Sequence, residues 1–186
     1  MLVPDWPLQT ARLRLRPLDE GDFDYFQAQR GDAETMRHVG EPESGDVLRE
    51  RFAERIRPWT GEPNQWLSLV ACLEDGTPIG SAGLRLRAPG LAEIGYAFLP
   101  AFQGKGYALE AVRALVELIF ERLACHKVMA QCTLANEGSW RLMERLGMVR
   151  EGRLAEHLQV GQHWQDCYQY GLLARHWRAQ DLGTVP

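Results

Sequence analysis

Pro100-Ala101-Phe102-Gln103-Gly104-Lys105-Gly106-Tyr107-Ala108 is the stretch on which the reading of this chain turns. It stands between a strand-like run at 91–99 and the best helical pattern of the sequence, 107–123, whose apolar residues at 109, 112, 116, 119, 120 and 123 form one stripe. Gly104, Gly106 and Ala108 clear away side chains where a backbone would approach a ligand, and the following helix offers unpaired N–H groups at its positive end. That is the chemistry of a cradle for phosphate or pyrophosphate. The glycines alone are equally satisfied by a tight turn with no ligand. Neither G-x-x-x-x-G-K-[ST] nor a G-x-G-x-x-G after the first strand is present, so a P-loop nucleotide hydrolase and a Rossmann dinucleotide site are both unsupported.

Outward from the loop, residues 12–16 alternate Arg-Leu-Arg-Leu-Arg, a half-buried strand with Leu13 and Leu15 on its apolar face. Pro17 ends it, and Asp19 with Asp22 opens a helix to about Arg30. Residues 31–45 are rich in Gly, Pro and acids, and 46–59 reads as a charged helix. The runs 66–73 and 78–87 flank the turn 74–77 as a hairpin. Along 91–99, Ile94, Tyr96 and Phe98 share one face, and Glu93, Gly95 and Ala97 the other. A strand at 127–134, a helix at 137–146 stopped by Gly147, and strands at 148–154 and 167–173 complete the set. Helices set among strands, with early hairpins, predict an α/β (α+β) sheet domain with helices on its faces. No repeat or linker interrupts it. Residues 1–178 therefore read as a single domain and 179–186 as a flexible C-terminal tail.

A chain of 186 residues buries roughly 70% of its unfolded surface on folding, so neither a disulfide nor a metal staple is required. Acidic residues (25) outnumber basic ones (21) for a net charge of -4, which argues against a nucleic-acid partner. No run approaches the ~18 apolar residues of a membrane span, and no basic, then apolar, leader opens the chain. Cys72, Cys125, Cys132 and Cys167 form no C-x-x-C pair and read as reduced, buried thiols of a cytoplasmic protein with no metal. Lys105 and Lys127 are the only lysines among 21 basic residues, and Lys105 sits inside the cradle.

Several segments together resemble the GNAT acetyltransferases. Gln103-x-x-Gly106-x-Ala108 is similar to their pyrophosphate signature, Q/R-x-x-G-x-G/A. The opening strand 10–18, Glu93-Ile94-Gly95-Tyr96 with Pro100, Asn136-Glu137-Gly138-Ser139 with Leu146-Gly147-Met148, and His163-Trp164-x-Asp166 resemble the RimJ/RimL-like branch, which acetylates amino groups. The resemblance implies a mostly antiparallel sheet with helices on both faces and a cleft where two strands splay.

It also implies acetyl-CoA as co-substrate, with the pyrophosphate on Gln103, Gly104, Lys105, Gly106, Tyr107 and Ala108. The pantetheine and acetyl group would follow the strand at Ile94, Tyr96 and Phe98. Ser139 would serve catalysis and the cofactor alike by meeting the departing thiolate; its structural alternative is a first-turn cap. Asn136 would bind the cofactor or cap the helix. Glu93 would relay the amine proton, with Glu156 or His157 as substitutes; otherwise Glu93 is a strand carboxylate paired with an arginine. Asp32, Glu34, Glu41, Glu43 and Asp46 would place acids near a cationic acceptor, or form a solvated loop. Trp59 and Trp66 would wall a pocket or sit in the core. The implied partners are a peptide N-terminus or a small amine, and a second copy in a homodimer. A non-catalytic acyl-CoA sensor on the same fold is the competing function.

Overall fold

In the computed structural model, which describes residues 6–182, the strands are β1 (Leu8–Gln9), β2 (Arg14–Pro17), β3 (Trp66–Cys72), β4 (Pro78–Ala88), β5 (Leu91–Phe98), β6 (Lys127–Thr133), β7 (Val149–Val160) and β8 (His163–Leu173). The helices are α1 (Phe23–Gly31), α2 (Ala33–Met36), α3 (Gly45–Arg55), α4 (Tyr107–Glu117), α5 (Glu137–Arg145) and α6 (Ala174–Leu182). One sheet holds the strands in the order β1-β2-β3-β4-β5-β6-β8-β7. Every neighbouring pair is antiparallel except β5 and β6. The expected α/β class is thus borne out.

Both faces are covered, and β3 shows why. Its Leu69 and Ala71 enter one core with Val112, Leu115 and Val116 of α4, while Val70 and Cys72 enter another with Tyr25 and Phe26 of α1 and Leu48 and Phe52 of α3. Side chains alternate along a strand, so a run apolar at every position needs helices on both sides. The stripe of α4 continues through a wider π-type turn, Leu118–Arg122, which keeps Leu118, Ile119 and Phe120 buried together.

Parallel pairing of β5 with β6 covers only Leu91↔Lys127 to Glu93↔Met129. From Ile94 onward β5 stays on β4, while β6 continues against β8. A wedge opens between them, and it is the splay that the family resemblance implied. Leu99 N–H donates to Ile79 O, so the two-residue alternation turns the backbone groups of Ile94, Tyr96 and Phe98 toward this open edge.

Three regions differ from the sequence reading. β7 and β8 extend into a long hairpin that absorbs residues 156–163, with bulges between Arg150 and Gly152 and between Leu154 and Leu158. The 31–45 excursion contains α2, whose cap is Asp32 accepting from Thr35 N. Helix α6 carries ordered chain to Leu182, four positions into the stretch read as a tail, and its Trp177 is buried beside Phe120. Residues 183–186 lie outside the described chain.

Candidate active site

Two cavities meet at β5. The larger, about 500 Å³, is walled by the 102–109 loop and helix start, by α5 from Asn136 to Arg145, and by residues 34–39. The smaller, about 200 Å³, lies under α1 and α2 against β3, β4 and β5. Val39, Tyr96 and Ala97 line both.

The loop is built as a cradle. Gly104 and Gly106 hold φ of 71° and 84°, a left-handed backbone that side chains other than glycine rarely tolerate. No atom lies within 4 Å of where a Cβ on Gly104 would stand. The first helical bond is Glu110 N–H to Gly106 O, so the N–H groups of Tyr107, Ala108 and Leu109 have no intrahelical acceptor, and Gly106 supplies no side-chain cap. Arg37, Arg141 and Arg145 line the same cavity with Glu34 and Glu137, and although Arg141 pairs with Glu137 at 2.8 Å the wall keeps a net positive charge. These donors and charges fit the pyrophosphate of acetyl-CoA.

A brace outside the cavity fixes the cradle. Glu110 accepts from Thr10 Oγ1 at 2.7 Å and from Arg12 N and Nε at 2.8 and 2.7 Å, while Arg12 Nη1 reaches Lys105 O at 3.1 Å. Burial alone would raise the Glu110 pKa, but the Thr10 and Arg12 hydrogen bonds hold it below the usual value. The Arg12 guanidinium also lies 4.5 Å from the Tyr107 ring centre. Sequence reasoning missed this brace, because its members lie some 98 residues apart.

On the wall of the larger cavity, the Tyr96 hydroxyl lies 2.9 Å from Ser139 Oγ and donates to Ser139 O at 3.2 Å. Burial raises the Tyr96 pKa, so the phenol is neutral at physiological pH. Asn136 caps α5, its Oδ1 accepting from Ser139 N at 3.2 Å. The structure thus brings Tyr96, Phe98, Gly104, Gly106, Tyr107, Ala108, Asn136 and Ser139 to one cavity.

Other expected residues are placed elsewhere. Gln103 lines the cavity, but its N–H bonds to Pro100 O at 3.2 Å and its Nε2 to Phe98 O at 2.8 Å, so it shapes the loop. Lys105 Nζ turns back to Ala101 O at 2.9 Å, over Phe102. Ile94 belongs to the core at 4% exposure. Glu93 lines neither cavity: Arg85 Nη2 and Nε hold it at 2.9 and 3.1 Å, and Arg87 Nε lies 3.5 Å away. Glu156 and His157 also lie off both cavities, on the exposed edge of β7, where Glu156 N–H donates to Asp166 at 2.9 Å. His38 is the imidazole that does line the larger cavity, its pKa lowered by burial and then by Arg37. Trp66 walls the smaller cavity, whereas Trp59 is core.

Residues 12–149 match the family described as "Acetyltransferase (GNAT) domain". The chain is 40% identical over 170 residues to the Bacillus subtilis protein "Uncharacterized N-acetyltransferase YnaD", covering 91% of this chain and 98% of that one. It is 30% identical over 84 residues to the Escherichia coli "[Ribosomal protein uS5]-alanine N-acetyltransferase", covering 45% of this chain and 43% of that one. Among solved structures it resembles the Vibrio cholerae spermidine N-acetyltransferase in complex with CoA and spermine. There the TM-score is 0.78 and the identity 25%, over 89% of this chain and 98% of that one.

Proposed function

The chain belongs to the GNAT acetyltransferase family, and from that premise we propose that it transfers acetyl from acetyl-CoA directly to an α-amine, with both reactants bound at once. The observation that carries this reading is the contact of the two cavities at Tyr96 and Ala97. The larger cavity has the cradle and charge for CoA, and the smaller leaves room for an acceptor. Acetyl-CoA supplies a thioester whose acyl carbon the amine attacks, releasing the free thiol.

The protein's part follows from its own groups. Gly104, Gly106 and the N–H groups that open α4 hold the pyrophosphate. Backbone N–H on the open edge of β5 polarises the thioester carbonyl without any special side chain. The Ser139 hydroxyl, bonded to Tyr96, donates to the departing sulfur. His38, neutral at pH 7 because its pKa is lowered, takes the amine proton through water. A peptide α-amine with pKa ~7.8 costs about 1 kcal/mol to deprotonate at pH 7, against about 4.6 for an alkyl amine near ~10.4, and the amine of a free amino acid, beside its own carboxylate, lies between them. A weak base relayed through water suits the first. The relative that acetylates a ribosomal-protein alanine supports an α-amine acceptor, and four free, buried cysteines fit a reducing cytoplasm.

Free-thiol release from acetyl-CoA over peptides, amino acids and polyamines tests the proposal. Amine-dependent release supports it. Tight acetyl-CoA binding without release for any amine would support the acyl-CoA sensor instead.

A further inference from the structure

Every charged side chain on the wall of the smaller cavity is an arginine. Arg30 and Arg55 line it, with no Asp, Glu, Lys or His beside them. Both are half-buried, and among the described residues neither has a carboxylate within ion-pair distance. Glu43, the acid nearest in effect to Arg30, is committed to Arg51 at 2.8 Å. Arg30 Nη1 meets only the Met36 sulfur at 3.7 Å and the Phe26 ring at 5.7 Å. Arg55 Nη1 reaches Ser68 Oγ at 3.4 Å, and its guanidinium lies 4.9 Å from the Trp66 ring centre. Arg85, also 4.9 Å from that ring centre, is neutralised by Glu93.

Two guanidinium groups in a half-enclosed apolar chamber, with Glu43 and Glu54 acting on them only from beyond ion-pair distance, are costly unless an anion arrives. The strain registers on Arg55: burial first, then the charges of Arg30, Arg51 and Arg85, pull its pKa down to about 10, which still leaves it charged at pH 7. The planar fork of arginine matches a carboxylate. A volume of about 200 Å³ holds roughly seven waters, enough for one small residue or its side chain. The acids of the 31–45 excursion do not reach this wall. Asp32 caps α2, Glu43 pairs with Arg51, and Glu34 faces the larger cavity.

We propose that the smaller cavity receives an amine acceptor that carries a carboxylate, held by Arg30 and Arg55 while its amine reaches Tyr96 and Ala97. This rests on the acetyltransferase reading and narrows its acceptor from α-amines in general to those that carry a carboxylate, amino acids or acidic peptide N-termini. A polyamine, which brings only positive charge, is excluded by repulsion.

The test compares matched acceptors in the thiol-release assay: alanine against alaninamide, Ser-Asp-amide against Ser-Asn-amide, and spermidine. In the wild type, with kcat/KM referred to the neutral amine of each acceptor, at least one carboxylate member should exceed its amide partner by tenfold or more, the responding pair telling free amino acid from peptide. That ratio should collapse toward unity in R55Q and, independently, in R30Q, with circular dichroism showing each variant folded. A wild-type ratio near one, better turnover of spermidine, or an unchanged ratio in both variants would overturn the proposal. Calorimetry with CoA and N-acetylalanine or N-acetylalaninamide gives a readout free of turnover. No release for any amine, together with Arg55-dependent preference for N-acetylalanine, would sink the acetyltransferase reading and leave the carboxylate site standing. No preference in either measurement would sink the site.

Discussion

Replacing Ser139 with alanine separates chemistry from folding at the centre of the site. The lost hydroxyl lies 2.9 Å from Tyr96 Oη and also meets the buried Cys132 thiol, while the Tyr96 hydroxyl keeps a second acceptor in Ser139 O at 3.2 Å. A thiol is a weak partner and costs little to leave unpaired, so the fold should lose only about 0.5–1.5 kcal/mol. For a chain of this length that is a fall in Tm of roughly 1–6 °C, at ~2–4 °C per kcal/mol. Catalysis should suffer more. Proton donation in a transition state contributes ~10²–10⁴-fold, and a thiol with pKa ~8.5 already leaves well near neutral pH, which points to the low end. The expected result for Ser139→Ala is a kcat about 10²-fold lower, or ~2.7 kcal/mol. The acetyl-CoA Kd should stay within about threefold, since the cradle is untouched. Stopped thiol-release assays with calorimetry measure both. A kcat within threefold of wild type would refute the assigned role and make Ser139 a helix residue only.

Three other substitutions probe the remaining parts. Gly106→Val forces a β-branched residue to φ 84°, at about 1–2 kcal/mol, and should raise the acetyl-CoA Kd roughly tenfold by calorimetry. Glu93→Gln should leave kcat within threefold while lowering Tm by roughly 2–8 °C, because it weakens the Arg85 and Arg87 pairing of a side chain only 15% exposed; a hundredfold loss of kcat would restore Glu93 as the base. His38 must be neutral to accept a proton, and burial with Arg37 sets its pKa below 6.5. The amine contributes its own limb near pH ~7.8, so kcat/KM should decline below that value and steepen further only as pH drops through the lower His38 value. His38→Gln should remove this lower limb of the kcat/KM profile, and a lower limb unchanged in the variant would assign it to another group.

What could be read from the chain was what its neighbours in sequence decide. The cradle is nine consecutive residues, and Gly104 and Gly106 adopt the positive φ that their identity suggests. The apolar run 66–73 marked β3 as a strand, though not that helices cover both of its faces. The fate of Glu93 was different, since it depends on β4–β5 register, which sets Arg85 directly opposite. The hairpin end at 156–163 was hidden by a short, mostly polar and exposed stretch in which only Leu158 and Val160 alternate with polar residues. Arg30 and Arg55 come from separate helices, and only the packing of α1 and α3 over the sheet places them on one cavity.

The account stands or falls on the two cavities forming one continuous path through Tyr96 and Ala97. A conjugate with the CoA sulfur joined through an acetyl bridge to the α-amine of alanine would occupy both at once. Its Kd, measured by calorimetry, should lie at least ~10²-fold below that of CoA, because the second contact becomes intramolecular. A conjugate that binds no tighter than CoA would show that the cavities do not communicate, and would contradict the account.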